Sequence, residues 1–327
     1  MAKEPVVVGI DLGGTNDRLA LVTRNGKILA RWERATASMP DQDTLVAGLA
    51  ADLLRCGEKA SSLGLEIKGV GLGVPGRVIP QEGRVAFSPN VPALNDCHLV
   101  KRLKSLVPWP IFLENDANLF ALGEHWLGAG VGSAQMLGIT LGTGVGGGLI
   151  LDGRVWPGTA GTAAEVGHIT VDPEGKRCRC GNRGCLETMA SASWAVAWVK
   201  EQLAQGAGSW LRELWETDPE ALHGETLVVA AQHRDPLACR AFDRMGRALG
   251  LAIATVVHLL GLSRVVIGGR FARAWEMFEL SMAEELHRRL TLFPPEAVSV
   301  YPAKLGDDAG LLGAAHLAWD AVGEGEK

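Results

Sequence analysis

Val6-Val-Val-Gly-Ile-Asp11-Leu-Gly-Gly-Thr-Asn16 is an apolar run that ends in a glycine-tipped turn. Residues 18–22 alternate between polar and apolar, so the turn reads as the tip of a β-hairpin. A second unit of the same kind spans strand 136–140, the turn Leu141-Gly-Thr-Gly144-Val-Gly146-Gly-Gly148 and strand 149–151. One hairpin opens the chain and one opens its second half, which predicts a duplicated α/β unit. Strand-like runs at 67–72, 111–113 and 264–267 and helical periodicity at 43–60, 117–127, 243–260 and 309–322 fill the frame. The segment from Ser191 to about Ala231 reads as mostly helical and is rich in Trp. A chain of 327 residues exceeds one compact core. Two domains are expected, residues 1–117 with 305–327 and residues 118–304.

Gly71-x-Gly73-x-x-Gly76 and Gly142-x-Gly144-x-x-Gly147 match the dinucleotide fingerprint in spelling. Both fail in context, because the fingerprint needs a helix N-terminus after its glycines to face a pyrophosphate. The first runs into Pro75 and Pro80, the second into a strand. A Walker A loop is absent from the sequence. A glycine-rich turn between strands can still bind phosphate, since backbone N–H groups can converge as an anion nest. Two such turns would suit a triphosphate.

The balance of 47% hydrophobic and 21% charged residues is that of a globular protein, and a net charge of −5 argues against a nucleic-acid partner. The most apolar stretch, 248–262, is too short for a membrane span and contains His258. No secretion signal opens the sequence, and clustered thiols fit a reducing cytoplasm, so a cytoplasmic protein with no membrane partner is expected.

Cys178-Arg-Cys180-Gly-Asn-Arg-Gly-Cys185 packs three thiols into a short loop, with His168 just upstream in Glu165-Val-Gly-His168. Cys₃His is a tetrahedral zinc set, and thiolates favour zinc over magnesium or calcium. The plain alternative is three reduced thiols that happen to be close. Glu165 and Glu187 flank the set, so a metal clasp would hold two acids and an imidazole in fixed relation. Cys56, Cys97 and Cys239 read as ordinary buried thiols.

Glu114-Asn115-Asp116-Ala117-Asn118 stands where an apolar strand meets a helix. Asp116 can cap that helix. It also lies at the carboxyl end of a strand, where open α/β sheets hold ligands, and an ionised Asp suits general-base work on a hydroxyl.

Asp11-Leu-Gly-Gly-Thr15, Gly73-Val-Pro-Gly76, Ser88-Pro-Asn90, Glu114-Asn-Asp-Ala-Asn118, Leu141-Gly-Thr-Gly144, Glu165-Val-Gly-His168 and Cys178-x-Cys180-Gly-x-x-Gly-Cys185-x-Glu187, in that order, resemble the ROK family of sugar kinases and repressors, its bacterial glucokinases most of all. The resemblance spans essentially the whole chain. It implies an actin-like ATPase (ribonuclease H-like) fold, two α/β domains with an interdomain cleft. It implies ATP-dependent phosphorylation of a hexose, glucose first, at its 6-hydroxyl, with magnesium and a structural zinc. Asp116 matches the family's catalytic base. Gly76, Asn90, Asn115, Asp116, Glu165, His168 and Glu187 match its sugar-contacting positions. Gly13, Gly14, Thr15, Gly142, Thr143, Gly144, Gly268 and Gly269 fall where it holds the nucleotide, and Asp11 would help hold magnesium. His168, Cys178, Cys180 and Cys185 would be the zinc ligands. A homodimer is usual among relatives.

Two departures from the family pattern stand out. Ala164 precedes Glu165 where many members have Gly, and Arg270 follows Gly268-Gly269 where a small residue is common. Other hexoses (N-acetylmannosamine, N-acetylglucosamine, fructose or mannose) and polyphosphate as donor remain compatible with the sequence. The family's repressors carry a helix-turn-helix ahead of the first glycine turn. Ten residues precede Asp11, so no DNA-reading role is expected.

Overall fold

The computed structural model describes residues 3–14, 16–36 and 39–324. Its strands are β1 (Glu4–Leu12), β2 (Asn16–Val22), β3 (Ile28–Ala35), β4 (Leu65–Val74), β5 (Arg77–Ile79), β6 (Arg84–Phe87), β7 (Ile111–Asn115), β8 (Met136–Leu141), β9 (Val145–Leu151), β10 (Arg154–Val155), β11 (Arg264–Gly268) and β12 (Ser299–Pro302). The helices are α1 (Gln42–Ser62), α2 (Leu99–Lys104), α3 (Asp116–Leu127), α4 (Glu187–Ala190), α5 (Ala192–Ala204), α6 (Leu211–Thr217), α7 (Gly224–Gln232), α8 (Pro236–Leu260), α9 (Trp275–Arg289) and α10 (Ala309–Glu324).

Two five-stranded sheets carry the fold, with orders β3-β2-β1-β4-β7 and β10-β9-β8-β11-β12. The two orders are the same when each sheet's strands are counted in chain sequence. β1 pairs antiparallel with β2 and parallel with β4, and β4 pairs parallel with β7. In the second sheet β8 and β12 both run parallel to β11. The duplication expected from the two glycine turns is therefore present in the topology. The chain forms two compact units, Met1–Ala134 with Gly148–Ala163 and Lys304–Lys327, and Gln135–Gly147 with Ala164–Ala303.

β1 is apolar at almost every position because both faces of its sheet are covered. Val6, Val8 and Ile10 are buried in one cluster with Leu45, Leu49 and Leu53 of α1. Val7 is buried in another with Leu311, Ala315 and Ala318 of α10. α10 lies hard against its sheet. A Cβ at Gly71 would come within 1.7 Å of the Ala314 carbonyl oxygen. Gly71 thus serves helix–sheet packing, which accounts for the first glycine of the misleading dinucleotide spelling.

Helix α8 begins at Pro236, earlier than the apolar periodicity suggests. Asp235 caps it, accepting the N–H groups of Leu237 and Ala238 at 2.9 Å each, and proline fits the first helical position. Cys239 lies on the outer face of this helix and is exposed, whereas Cys56 and Cys97 are buried. The expectation of a third buried thiol is corrected accordingly. β3 has no counterpart among the expected strands. It is an edge strand studded with Arg31, Glu33 and Arg34, and charge on an edge masks the strand pattern. Among the described residues no helix is long and apolar enough to cross a membrane.

Candidate functional site

In the first unit, β7 delivers Glu114, Asn115 and Asp116 to the start of α3. The capping duty falls on Asn115, not Asp116. Asn115 Oδ1 accepts the N–H groups of Ala117 at 2.9 Å and Asn118 at 3.2 Å. Its amide also donates to the Gly76 carbonyl at 2.9 Å, which joins two of the expected sugar-contacting residues. Beneath them the buried Glu114 accepts from the Asn115 N–H at 2.8 Å and the Asn118 amide at 3.0 Å. Burial pushes the Glu114 carboxyl above its usual range.

Asp116 accepts the Ala117 N–H at 2.9 Å. Its surface is half-covered, but the protein around its carboxyl desolvates it strongly. Desolvation, with the Asp11 charge second, raises its pKa from 3.8 to about 7, against the pull of the Ala117 N–H. Asp11 is itself raised, by burial first. Arg18 opposes the shift and Asp307 adds to it. The Asp11 carboxyl packs at the first turn of α10, where a Cβ on Gly310 would lie 3.1 Å from its Cγ. Acids crowded this way accept a divalent cation or a proton in compensation.

The first glycine turn follows β1. Gly14 lies against Asn90, whose carbonyl oxygen a Cβ there would meet at 3.4 Å. Thr36 Oγ1 donates to the Gly13 carbonyl at 2.7 Å. Behind it Arg34 reaches Asp17 at 3.0 Å and Asp52 at 2.8 Å, both acids being buried. Desolvation raises Asp17 to about 6 despite Arg34. Thr15 lies outside the described residues.

In the second unit the other glycine turn, Gly142 to Gly144, links β8 and β9. Gly269 follows β11 at φ +89° with its backbone against Leu141, where a Cβ would approach the Leu141 oxygen to 2.3 Å. Gly268-Gly269 and the turn are thereby neighbours. The donor atoms of His168, Cys178, Cys180 and Cys185 all lie within 4.8 Å of one another. Cys180 and Cys185 are 3.7 Å apart at sulfur, and Cys178 Sγ is 3.8 Å from His168 Nδ1. A tetrahedron with Zn–S bonds of about 2.3 Å has edges of about 3.8 Å, so the donor set fits zinc. His168 turns Nδ1 to the thiols, and its Nε2 faces the Glu165 carboxylate at 4.0 Å. Glu187 heads α4, and its Oε2 accepts the Val145 N–H at 3.1 Å.

The structure thus assembles Gly76, Asn115 and Asp116, with Gly14 beside Asn90, in the first unit. In the second it assembles Glu165 with His168, Glu187 with the turn, and Gly269 with Leu141. Sequence reasoning singled out the 114–118 stretch but missed the supporting bonds of Glu114 and Asn118 within it, and missed Thr36, Arg34 and Ser193 altogether. Ser193 Oγ donates to the Thr143 carbonyl at 2.5 Å, and the Ala192 N–H donates to the Gly142 carbonyl at 2.9 Å. Thr36, Arg34 and Ser193 act across 23, 17 and 50 residues, and no local spacing announces them.

Comparison with known proteins agrees with this arrangement. Residues 7–321 match the ROK family. A glucokinase of Thermotoga maritima is 36% identical over 320 residues, 97% of this chain and 98% of the relative. The crystal structure of a ROK family glucokinase from Streptomyces griseus, in complex with glucose and AMPPNP, is 32% identical and superposes with a TM-score of 0.79, covering 96% of this chain and 99% of that one. A ROK family transcriptional regulator, homologous to the E. coli MLC protein, superposes at 0.87 with 28% identity, covering 98% of this chain and 79% of the regulator. Sheet order, motif order and these likenesses extend over the same residues, and the chain therefore belongs to the ROK family and has its actin-like ATPase fold.

Proposed function

We propose that the protein is an ATP-dependent hexokinase acting on the 6-hydroxyl of glucose, with Asp116 as general base. The observation that carries the reading is the state of Asp116, a carboxyl relieved of capping by Asn115 and raised to about 7 by desolvation. A base with a pKa near the working pH is the effective kind. The 6-hydroxyl oxygen bonds to the γ-phosphorus, the bond from that phosphorus to the β–γ bridging oxygen breaks, ADP leaves, and the hydroxyl proton passes to Asp116. General-base action of this kind contributes about 10²–10⁴ in rate. The remainder is positioning and charge stabilisation.

Gly76, Asn90, Asn115, Glu165, His168 and Glu187 are the sugar contacts in this reading. Gly13, Gly14 and Thr15 with Gly142, Thr143, Gly144, Gly268 and Gly269 take the nucleotide through backbone N–H groups. Asp11 would help hold magnesium, which when bound offsets the charge of the phosphoryl groups. His168, Cys178, Cys180 and Cys185 would hold zinc, a structural ion that fixes the imidazole tautomer. His168 Nε2 then remains for a sugar hydroxyl. The solution state in this reading is a homodimer.

The glucose assignment draws support from the glucokinases among the relatives. The likeness to a transcriptional regulator favours a second reading, a sugar sensor without turnover. One coupled assay over glucose, mannose, fructose, N-acetylglucosamine and N-acetylmannosamine, each with ATP or polyphosphate, separates these. Highest specificity for glucose with ATP is expected. Preference for another hexose overturns the substrate assignment, and sugar binding without any turnover overturns the kinase.

A further inference from the structure

We propose that Glu187 couples sugar binding to nucleotide binding, one carboxylate oxygen holding the second glycine turn while the other meets the sugar. The proposal rests on the sugar-kinase reading above. Glu187 Oε2 accepts the Val145 N–H at 3.1 Å. The same oxygen lies over Gly144, where a Cβ would come within 2.5 Å of it. A side chain at 144 would push the carboxylate away from its present place on the turn. Oε1 has no partner among the described residues and is the oxygen available to a hydroxyl.

The carboxylate is held from behind. Cys185, a donor of the zinc set, lies two residues earlier, and its carbonyl accepts both the Thr188 hydroxyl at 2.7 Å and the Thr188 N–H at 2.9 Å. The turn is held from α5 as well, through Ala192 N–H to Gly142 and Ser193 Oγ to Thr143. The turn is thus fixed on one side by a helix end and on the other by a side chain that the sugar also engages. A hydroxyl donating to Oε1 confines that side chain, and with it the Val145 N–H and the turn. By linkage, nucleotide on the turn must favour the sugar by the same factor. Ser193 holds the turn without facing the sugar in this scheme, so it sets nucleotide affinity alone.

The test measures dissociation constants of a non-hydrolysable ATP analogue with magnesium by calorimetry, without glucose and with glucose at saturation for each variant. In the wild type glucose should tighten the analogue about fivefold or more, the lower end of measured allosteric couplings. In Glu187→Gln, saturating glucose should leave it unchanged within about twofold. Gly144→Ala, which drives a methyl against Oε2 while keeping the Glu187 charge, should lose the coupling too. Ser193→Ala should weaken the analogue equally with and without glucose and keep the coupling. Zinc content and melting temperature, read on every variant, identify one that has lost its fold. Full coupling in Glu187→Gln and in Gly144→Ala overturns the relay. Wild type that binds both ligands independently overturns it while sparing the kinase reading. Wild type that binds no hexose overturns the kinase reading itself.

Discussion

The two glycine turns occupy equivalent places in sheets of the same strand order, yet they are held by unlike means. The first is braced by side chains from its own sheet and α1. Thr36 bonds the Gly13 carbonyl, and Arg34 stands between buried Asp17 and Asp52. The second is braced by Glu187, just after the Cys₃His donor set, and by the start of α5. The repeated topology shares the hairpin but not its support. The first brace contains a buried carboxyl raised by desolvation, whereas the second adjoins a Cys₃His donor set with the spacing of a metal site.

The largest effect should come from removing the metal of the second brace. Protein purified without added metal should contain about one zinc per chain, the number that a single Cys₃His set can hold. Structural zinc contributes on the order of 10 kcal/mol in small domains. Cys185→Ser, or chelation, should lower the melting temperature steeply. Hydrogen exchange should rise in residues 142–145 and 165–190 while the first turn stays protected. Equal loss of protection at both turns would erase the contrast. Full activity and unchanged melting in metal-free protein would remove zinc from the brace.

Next in size is Asp116→Asn, which should lower turnover by at least about 10²-fold and leave sugar binding nearly intact. Since Asn115 already caps α3, the fold should survive. A variant that mainly loses thermal stability and keeps its turnover would return Asp116 to a capping role.

Arg34→Met attacks the first brace. Removing one partner of a buried ion pair costs about 3–5 kcal/mol, because Asp17 is left without a counter-charge while Asp52 keeps only Arg55. Asp17 is raised from 3.8 to about 6 in the fold, so the folded state disfavours its charge. Its contribution is complete below about pH 4 and is lost as pH rises through 6. Chemical denaturation at pH 5 and pH 8 should therefore give a larger penalty at pH 8. An equal penalty at both values would mean that the two acids are solvated, and the first brace would not be pH-sensitive.

Glu187→Gln should weaken sugar binding by about one to two orders of magnitude, the value of a hydrogen bond to a charged group. The ratio of specificity constants for glucose and mannose should change with it. Unchanged affinity and ratio would leave the zinc loop as scaffold.

The smallest effect is a pH profile. Asp116 near 7 predicts that kcat/KM rises with pH up to about 7 and levels beyond it. The same shift makes Asp116 a stabilising group below pH 4 whose contribution fades as pH rises through 7. Asp116→Asn should melt higher than wild type at pH 8 and not at pH 5. A profile that is flat from pH 5 to 8 would detach the titration from the rate.

What was legible in the sequence were features with local spacing. The paired glycine turns announced the duplicated sheets, the Cys₃His run announced the donor cluster, and the strand-to-helix junction at 114–118 announced the acid. Asp116 read as base ahead of cap, the two being compatible, and the structure shows that Asn115 carries the cap of α3. The braces were hidden. Arg34 sits on a charged edge strand that resembles any solvated surface. Ser193 and Val145 meet their partners far along the chain, and Val145 contributes a backbone N–H that no residue type encodes. Helix α8 could have been bounded better, because Asp235-Pro236 is a start signal in plain view.

Residues 304–327 belong to the first unit, and their helix α10 covers the sheet face that carries Val7, Ala20 and Val22. Synthesis runs from the amino end, so that face stays uncovered on the ribosome while every residue of the second unit is made. The second unit can complete its core first, and the first unit must wait with an open apolar sheet. The nascent chain is thus a natural client for chaperones until α10 emerges, and a premature stop ahead of residue 304 leaves the face that seeds aggregation.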